Sequence, residues 1–124
     1  MRFAKISACL LALAAFGATP STAHHSYSMF DMQRTIVLDA TVVQFRWSNP
    51  HAFIRVNVQA GDEVELWSIE MTSPNNLVQE GWTRRTLRQG DRVQLYVHPL
   101  RSGAQGGSYA GVRLPDGSTL GEVE

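Results

Sequence analysis

The sequence predicts a mainly β domain: a small five-stranded barrel with one short helix between its third and fourth strands. Three observations carry that prediction. Apolar residues alternate through short runs separated by turn residues, the first run switches phase midway, and a serine-proline pair interrupts the strands after the third run.

In the first run, Thr35 to Trp47, the residues Ile36, Leu38, Ala40 and Val42 alternate in one phase, and Val43, Phe45 and Trp47 in the other. A strand that changes face needs a bulge or a sharp coil, and such a strand can serve two sheets and turn the corner of a small barrel. After Ser48-Asn49-Pro50 a second strand runs from His51 to Gln59, with Ile54, Val56 and Val58 on one face and Phe53, Arg55 and Asn57 on the other. Ala60-Gly61-Asp62 makes a tight turn. The third strand, Val64 to Met71, sets Glu65, Trp67, Ile69 and Met71 on one side, and Trp67 is the expected core anchor.

Ser73 is placed to cap a short helix, Pro74 fits its first position and Gly81 closes it. Thr83 to Leu87 adds a single turn before the fourth strand, Arg92 to His98, whose Val93, Leu95 and Val97 face one way. The glycine-rich stretch from Ser102 to Ser108 reads as a mobile loop, a plain linker to the fifth strand, Tyr109 to Leu114. That strand ends at the Pro115-Asp116-Gly117 turn, and a return through Ser118 to Leu120 pairs with it. Three strands, a helix and two strands is the order of an OB-like β-barrel.

The 124-residue chain opens with the cationic Met1-Arg2-Phe3-Ala4-Lys5, an apolar run from Ile6 to Ala18 and the small-residue exit Ser21-Thr22-Ala23. This order predicts a signal peptide over 1–23 with cleavage after Ala23, and hence a periplasmic or secreted protein. The run is shorter than the roughly 20 residues that span a bilayer, so no transmembrane segment is expected in the mature chain. Residues 24–34 are expected as a mobile lead-in and 35–124 as the barrel domain. Of 11 basic residues, Arg2 and Lys5 leave with the leader, so 9 face 11 acidic ones. The nine are arginines, scattered rather than clustered, and no nucleic-acid partner is expected. Cys9, the only cysteine, also leaves, so the mature fold has neither a disulfide nor a thiolate.

Cleavage after Ala23 would expose an α-amine on His24, so that one residue chelates through amine and imidazole, and His25 adds a second imidazole. Nitrogen donors of this kind suit Cu(II), and the nearby Met29 and Met32 offer thioethers that favour Cu(I). Of the remaining histidines, His51 is the candidate partner from the folded body, whereas His98, on the outward phase of the fourth strand, reads as a surface residue. The metal candidates are therefore His24, His25 and His51, with copper as the ion. Against them stands the reading of His24 and His25 as a frayed terminus and of His51 as turn chemistry. Glu70 lies at a strand end without a second carboxylate at acid/base spacing, and no catalytic residue is assigned. The outward Arg46, Phe53, Arg55 and Tyr96 suggest a cationic and aromatic groove for an envelope protein, a glycan or another small ligand.

The motifs His24-His25-Ser26, Phe30-Asp31, Trp47-Ser48-Asn49-Pro50-His51, Ser73-Pro74-Asn75 and Gly81-Trp82, with Gly90-Asp91 and the Asp116-Gly117 turn, resemble the domain of unknown function 6152 family. That resemblance implies a small exported bacterial protein and brings no catalytic assignment. Two functions follow as expectations: a periplasmic binding module for copper, or a metal-free module that interacts with an envelope protein or a glycan. An enzyme in the copper-oxygenase manner ranks behind both, since it requires a shaped substrate pocket that sequence does not reveal.

Overall fold

The computed structural model describes residues 25–124, with side chains from Tyr27 onward. The expected signal peptide, its cut after Ala23, Cys9 and His24 lie outside the described residues. The elements are α1 (His25–Ser28), β1 (Ile36–Arg46), β2 (Phe53–Ala60), β3 (Glu63–Glu70), α2 (Pro74–Gln79), β4 (Arg92–Pro99), β5 (Gly106–Arg113) and β6 (Thr119–Gly121). The strands run β3-β2-β1-β4-β5-β6, and a parallel β3–β5 pairing closes the first five into a barrel. Among the described residues no helix is long and apolar enough to cross a membrane.

β1 behaves as its phase change requires. Ile36 to Thr41 pair with β4, Ala40 to Arg46 pair with β2, and the register slips between Val42 and Gln44. Leu38, Ala40 and Val42 are buried before the slip; after it Phe45 turns inward, opposite the buried Ile54. The strand thus crosses from one half of the barrel to the other.

α2 forms where Ser73 accepts from the Asn76 N–H at 3.4 Å and Pro74 begins the first turn. Gly81 ends it at φ +96°, a conformation that favours glycine. The helix exists to bury Leu77, and the chain beyond it buries Trp82, both essentially without exposure. Trp82 therefore takes the anchoring role expected of Trp67. Trp67 is only partly buried because its indole N–H turns aside to Glu65 Oε2 at 2.9 Å.

The glycine-rich segment is not a linker. Gly106, Gly107 and Ser108 are the first residues of β5, and they pair with Ser68, Ile69 and Glu70 of β3 while Gly107 and Ser108 also pair with Pro99 and His98 of β4. A Cβ at Gly107 would overlap Val97 Cγ1 and the His98 carbonyl oxygen, so the seam closes only because the side chain is absent. Composition marked these residues as loose; backbone pairing on both sides makes them the barrel's closing seam.

The lead-in also touches the barrel. Phe30 is 4% exposed and bridges to Leu100, the Asp31 N–H donates to the Pro99 carbonyl at 2.8 Å, and the Arg101 N–H donates to the Met29 carbonyl at 2.9 Å. Packing thus extends upstream of the boundary expected at Thr35. Met29 and Phe30, between Ser28 and Asp31, are too short an apolar run to predict it.

Candidate functional site

His51 is positioned by a short loop and a strand pair. The Asn49–Pro50 bond is cis, and the Ser48 hydroxyl donates to the His51 carbonyl at 2.8 Å. Ala52 then exchanges backbone hydrogen bonds with Met71 and Thr72 at 2.9 and 3.1 Å, which sets His51 beside the end of β3. Its Nδ1 lies 2.8 Å from the Met71 carbonyl oxygen and 3.6 Å from Glu70 Oε1. Both neighbours are acceptors, so Nδ1 is the ring nitrogen that donates, which leaves Nε2 as the nitrogen for a ligand. A carbonyl behind a histidine in this way is the usual support of a ligating ring.

The register builds a polar row next to it. His98 on β4 pairs with Ser108 on β5, Ser108 pairs with Glu70 on β3, and Glu70 pairs with Phe53 on β2. Cross-strand partners point to the same face, so these side chains stand in line across neighbouring strands. Phe53 in turn faces Arg46, whose guanidinium carbon lies 5.6 Å from the ring centroid. Arg46 and Phe53 thus form the cationic and aromatic pair expected of them, and Arg55 is exposed two residues further along β2. Tyr96 does not join them: it is buried between Val37 and Gly111 on another side of the barrel, its hydroxyl donating to Gln94 Oε1 at 3.1 Å. The four residues do not make one groove.

Where this row meets the lead-in lies a cleft of about 330 Å³, whose lining includes Met32, His51, Glu70, Glu80, His98 and Glu122. Among the described residues it has three carboxylates and no arginine or lysine in its wall. A larger, more open hollow of about 740 Å³ lies toward the other ends of β2 and β4, where Asp39 accepts from Gln94 Nε2 at 3.1 Å and Arg92 and Arg113 stand nearby. That hollow contains no histidine and mixes charges of both signs, so the smaller cleft is the better candidate for a cation.

Tyr109 also lines the cleft. Its ring meets Trp82 edge-on at 5.4 Å, and its hydroxyl donates to the Leu120 carbonyl at 3.2 Å. Burial pushes its pKa far above the ordinary tyrosine value; the Trp82 indole opposes the rise and the Glu80 carboxylate adds to it. The Trp82 N–H falls short of hydrogen-bonding geometry and is buried without a partner among the described residues.

Of the sequence-predicted donors, His51 lines the cleft, His25 opens α1, and His24 lies outside the described residues. Among the described residues no three His, Cys, Asp or Glu side chains converge as a metal-holding group. Two cleft residues carry more than sequence reasoning gave them: His98, read as surface, and Ser108, read as loop. Only the β4–β5 register reveals them as neighbours.

Fold and cleft define a small OB-like barrel module with its upstream segment laid beside a histidine-bearing hollow. The chain belongs to the Family of unknown function (DUF6152), whose profile matches residues 12–109. No curated protein and no solved structure matches the chain.

Proposed function

We propose that the protein is an exported binding module that holds a copper ion at this cleft, with the amine and imidazole of a mature amino-terminal His24, the imidazole of His25 and Nε2 of His51 as donors. One observation carries the reading. Phe30 pins the lead-in so that Tyr27 lines the same cleft as His51. His24 is three residues upstream of Tyr27, within about 10 Å of extended chain. The leader-like start supports export, and the nitrogen donors support copper over harder divalent ions.

The test is a Cu(II) titration followed by electron paramagnetic resonance on protein beginning at His24, on a form with one extra residue before His24, and on His51→Ala. One tight nitrogen-rich site, weakened by both changes, is expected. Weak and equal binding by all three would overturn the copper reading. It would turn attention to the Arg46–Phe53 stack as a contact for an envelope protein or a glycan.

A further inference from the structure

We infer that the larger hollow is a second binding site and that it takes an acidic oligosaccharide, a short chain of sugars bearing carboxylates. It lies apart from the cleft and goes beyond the copper reading. Its residues sit at the ends of β2 and β4 away from the β1–β2 and β4–β5 connections, the loops with which OB barrels grip their ligands.

The strand register builds this site. Asn57 of β2 pairs with Thr41 of β1, which pairs with Arg92 of β4, while Asp39 of β1 pairs with Gln94 of β4, which pairs with Arg113 of β5. Cross-strand partners share a face, so these six lining residues stand in two rows of three, with about 7 Å between the rows. Arg92 and Arg113 are diagonal neighbours, near enough for both guanidiniums to reach one carboxylate. Both are exposed, and among the described residues neither has a carboxylate partner. The acids nearest them in sequence are engaged elsewhere. Asp91 accepts from the Arg88 N–H at 2.9 Å, and Asp116 accepts from the Ser118 N–H at 2.9 Å and its hydroxyl at 2.6 Å.

The remaining groups select a sugar acid over a bare anion. Asp39, fixed by Gln94 Nε2 at 3.1 Å, is an acceptor only: it repels a polyanion but takes hydrogen bonds from hydroxyls. Asn57 is exposed and its side-chain amide has no partner among the described residues, so it offers a donor and an acceptor to neighbouring hydroxyls. Val64, 60% exposed, and Leu114 and Pro115 add apolar surface for the C–H face of a sugar ring. Two arginines against one aspartate leave the hollow with an excess of positive charge for the sugar's carboxylate. Its volume of about 740 Å³ lies in the range of small-molecule sites, roughly 300–1,000 Å³, which suits a short oligosaccharide.

The experiment titrates trigalacturonate into the protein beginning at His24, without copper, and follows backbone amide shifts by heteronuclear NMR, with maltotriose and inorganic phosphate as comparators. Saturable shifts at Thr41, Asn57 and Arg92 are expected with trigalacturonate alone, and affinity should fall about tenfold in Arg92→Gln and in Arg113→Gln. No binding of trigalacturonate, or wild-type affinity in both variants, would overturn the inference. Equal binding of maltotriose would overturn it by removing the need for a carboxylate, and equal binding of phosphate by removing the need for a sugar. Arg113→Gln gives up the bond to the Gly117 carbonyl at 3.3 Å, whereas the Arg92 side chain makes no bond among the described residues, so Arg92→Gln keeps the test valid if the Arg113 variant disturbs its turn. With no copper in the sample, each of these outcomes leaves the copper reading untouched.

Discussion

Phe30→Ala tests whether the cleft depends on the pinned lead-in. Phe30 is buried yet stands outside the contiguous core cluster, so its contacts hold one segment against the barrel rather than the barrel together. A phenylalanine side chain of the size that buries on the order of 150 Å² or more contributes, at about 25 cal/mol per Å², some 4 kcal/mol. Alanine keeps part of it, which leaves a loss of about 3 kcal/mol. Because the segment can lift without opening the core, most of that loss is expected as local detachment. Amide exchange should accelerate at Asp31 and Arg101, whose N–H groups bond across the junction, while the global urea midpoint moves little. Copper affinity should fall with the docked fraction, by up to about a hundredfold, since 1.4 kcal/mol is a factor of ten. Rapid exchange at Asp31 with unchanged copper affinity would refute the coupling. A full 3 kcal/mol drop in global stability would show instead that Phe30 is part of the core.

Gly107→Ala places a methyl group against Val97 and the His98 carbonyl, and is expected to lower stability by about 1–3 kcal/mol in urea unfolding; a wild-type midpoint would show that the β4–β5 seam has slack. Tyr109→Phe bears on alkaline stability. The folded chain holds the Tyr109 proton to a higher pH than the unfolded chain does, so above about pH 10 the unfolded state gains by ionising and wild-type stability falls. The variant should start lower at neutral pH by about 1 kcal/mol, for the lost bond to Leu120, and decline less steeply in alkali; parallel pH curves would exclude this origin. Ser73→Ala removes the acceptor for the Asn76 N–H and should cost about 1 kcal/mol by thermal unfolding.

The barrel was legible because its strands obey simple rules. The phase change at Val42 and Val43 can be satisfied only by a slip in pairing, and the slip is where the periodicity places it. Ser73 as the cap, Pro74 at the first position and Gly81 at positive φ together fit the two ends of a short helix. Trp67 and Trp82 show where the rule weakens. Alternation assigns Trp67 to an inward phase, but a residue near an open stretch of strand can tilt its polar edge to Glu65, whereas Trp82 lies in irregular chain that has no period and is buried by tertiary packing alone.

The cleft was harder to read for a related reason. Periodicity tells which face a side chain takes and says nothing about which strand lies next to it. Periodicity puts His98 on the outward phase, and an outward phase by itself implies solvent. Yet the outer face at the end of β4 is covered by the lead-in, and its neighbour across the seam is Ser108, from a stretch whose glycines made it look unpaired. The same glycines permit β5 to approach β4 closely enough for His98, Ser108 and Glu70 to stand in one row. Low complexity at this seam therefore has a structural cause. Any residue with a Cβ at Gly107 would push β5 away from β4 and break the row, so the feature that hid the cleft in the sequence is the one that builds it.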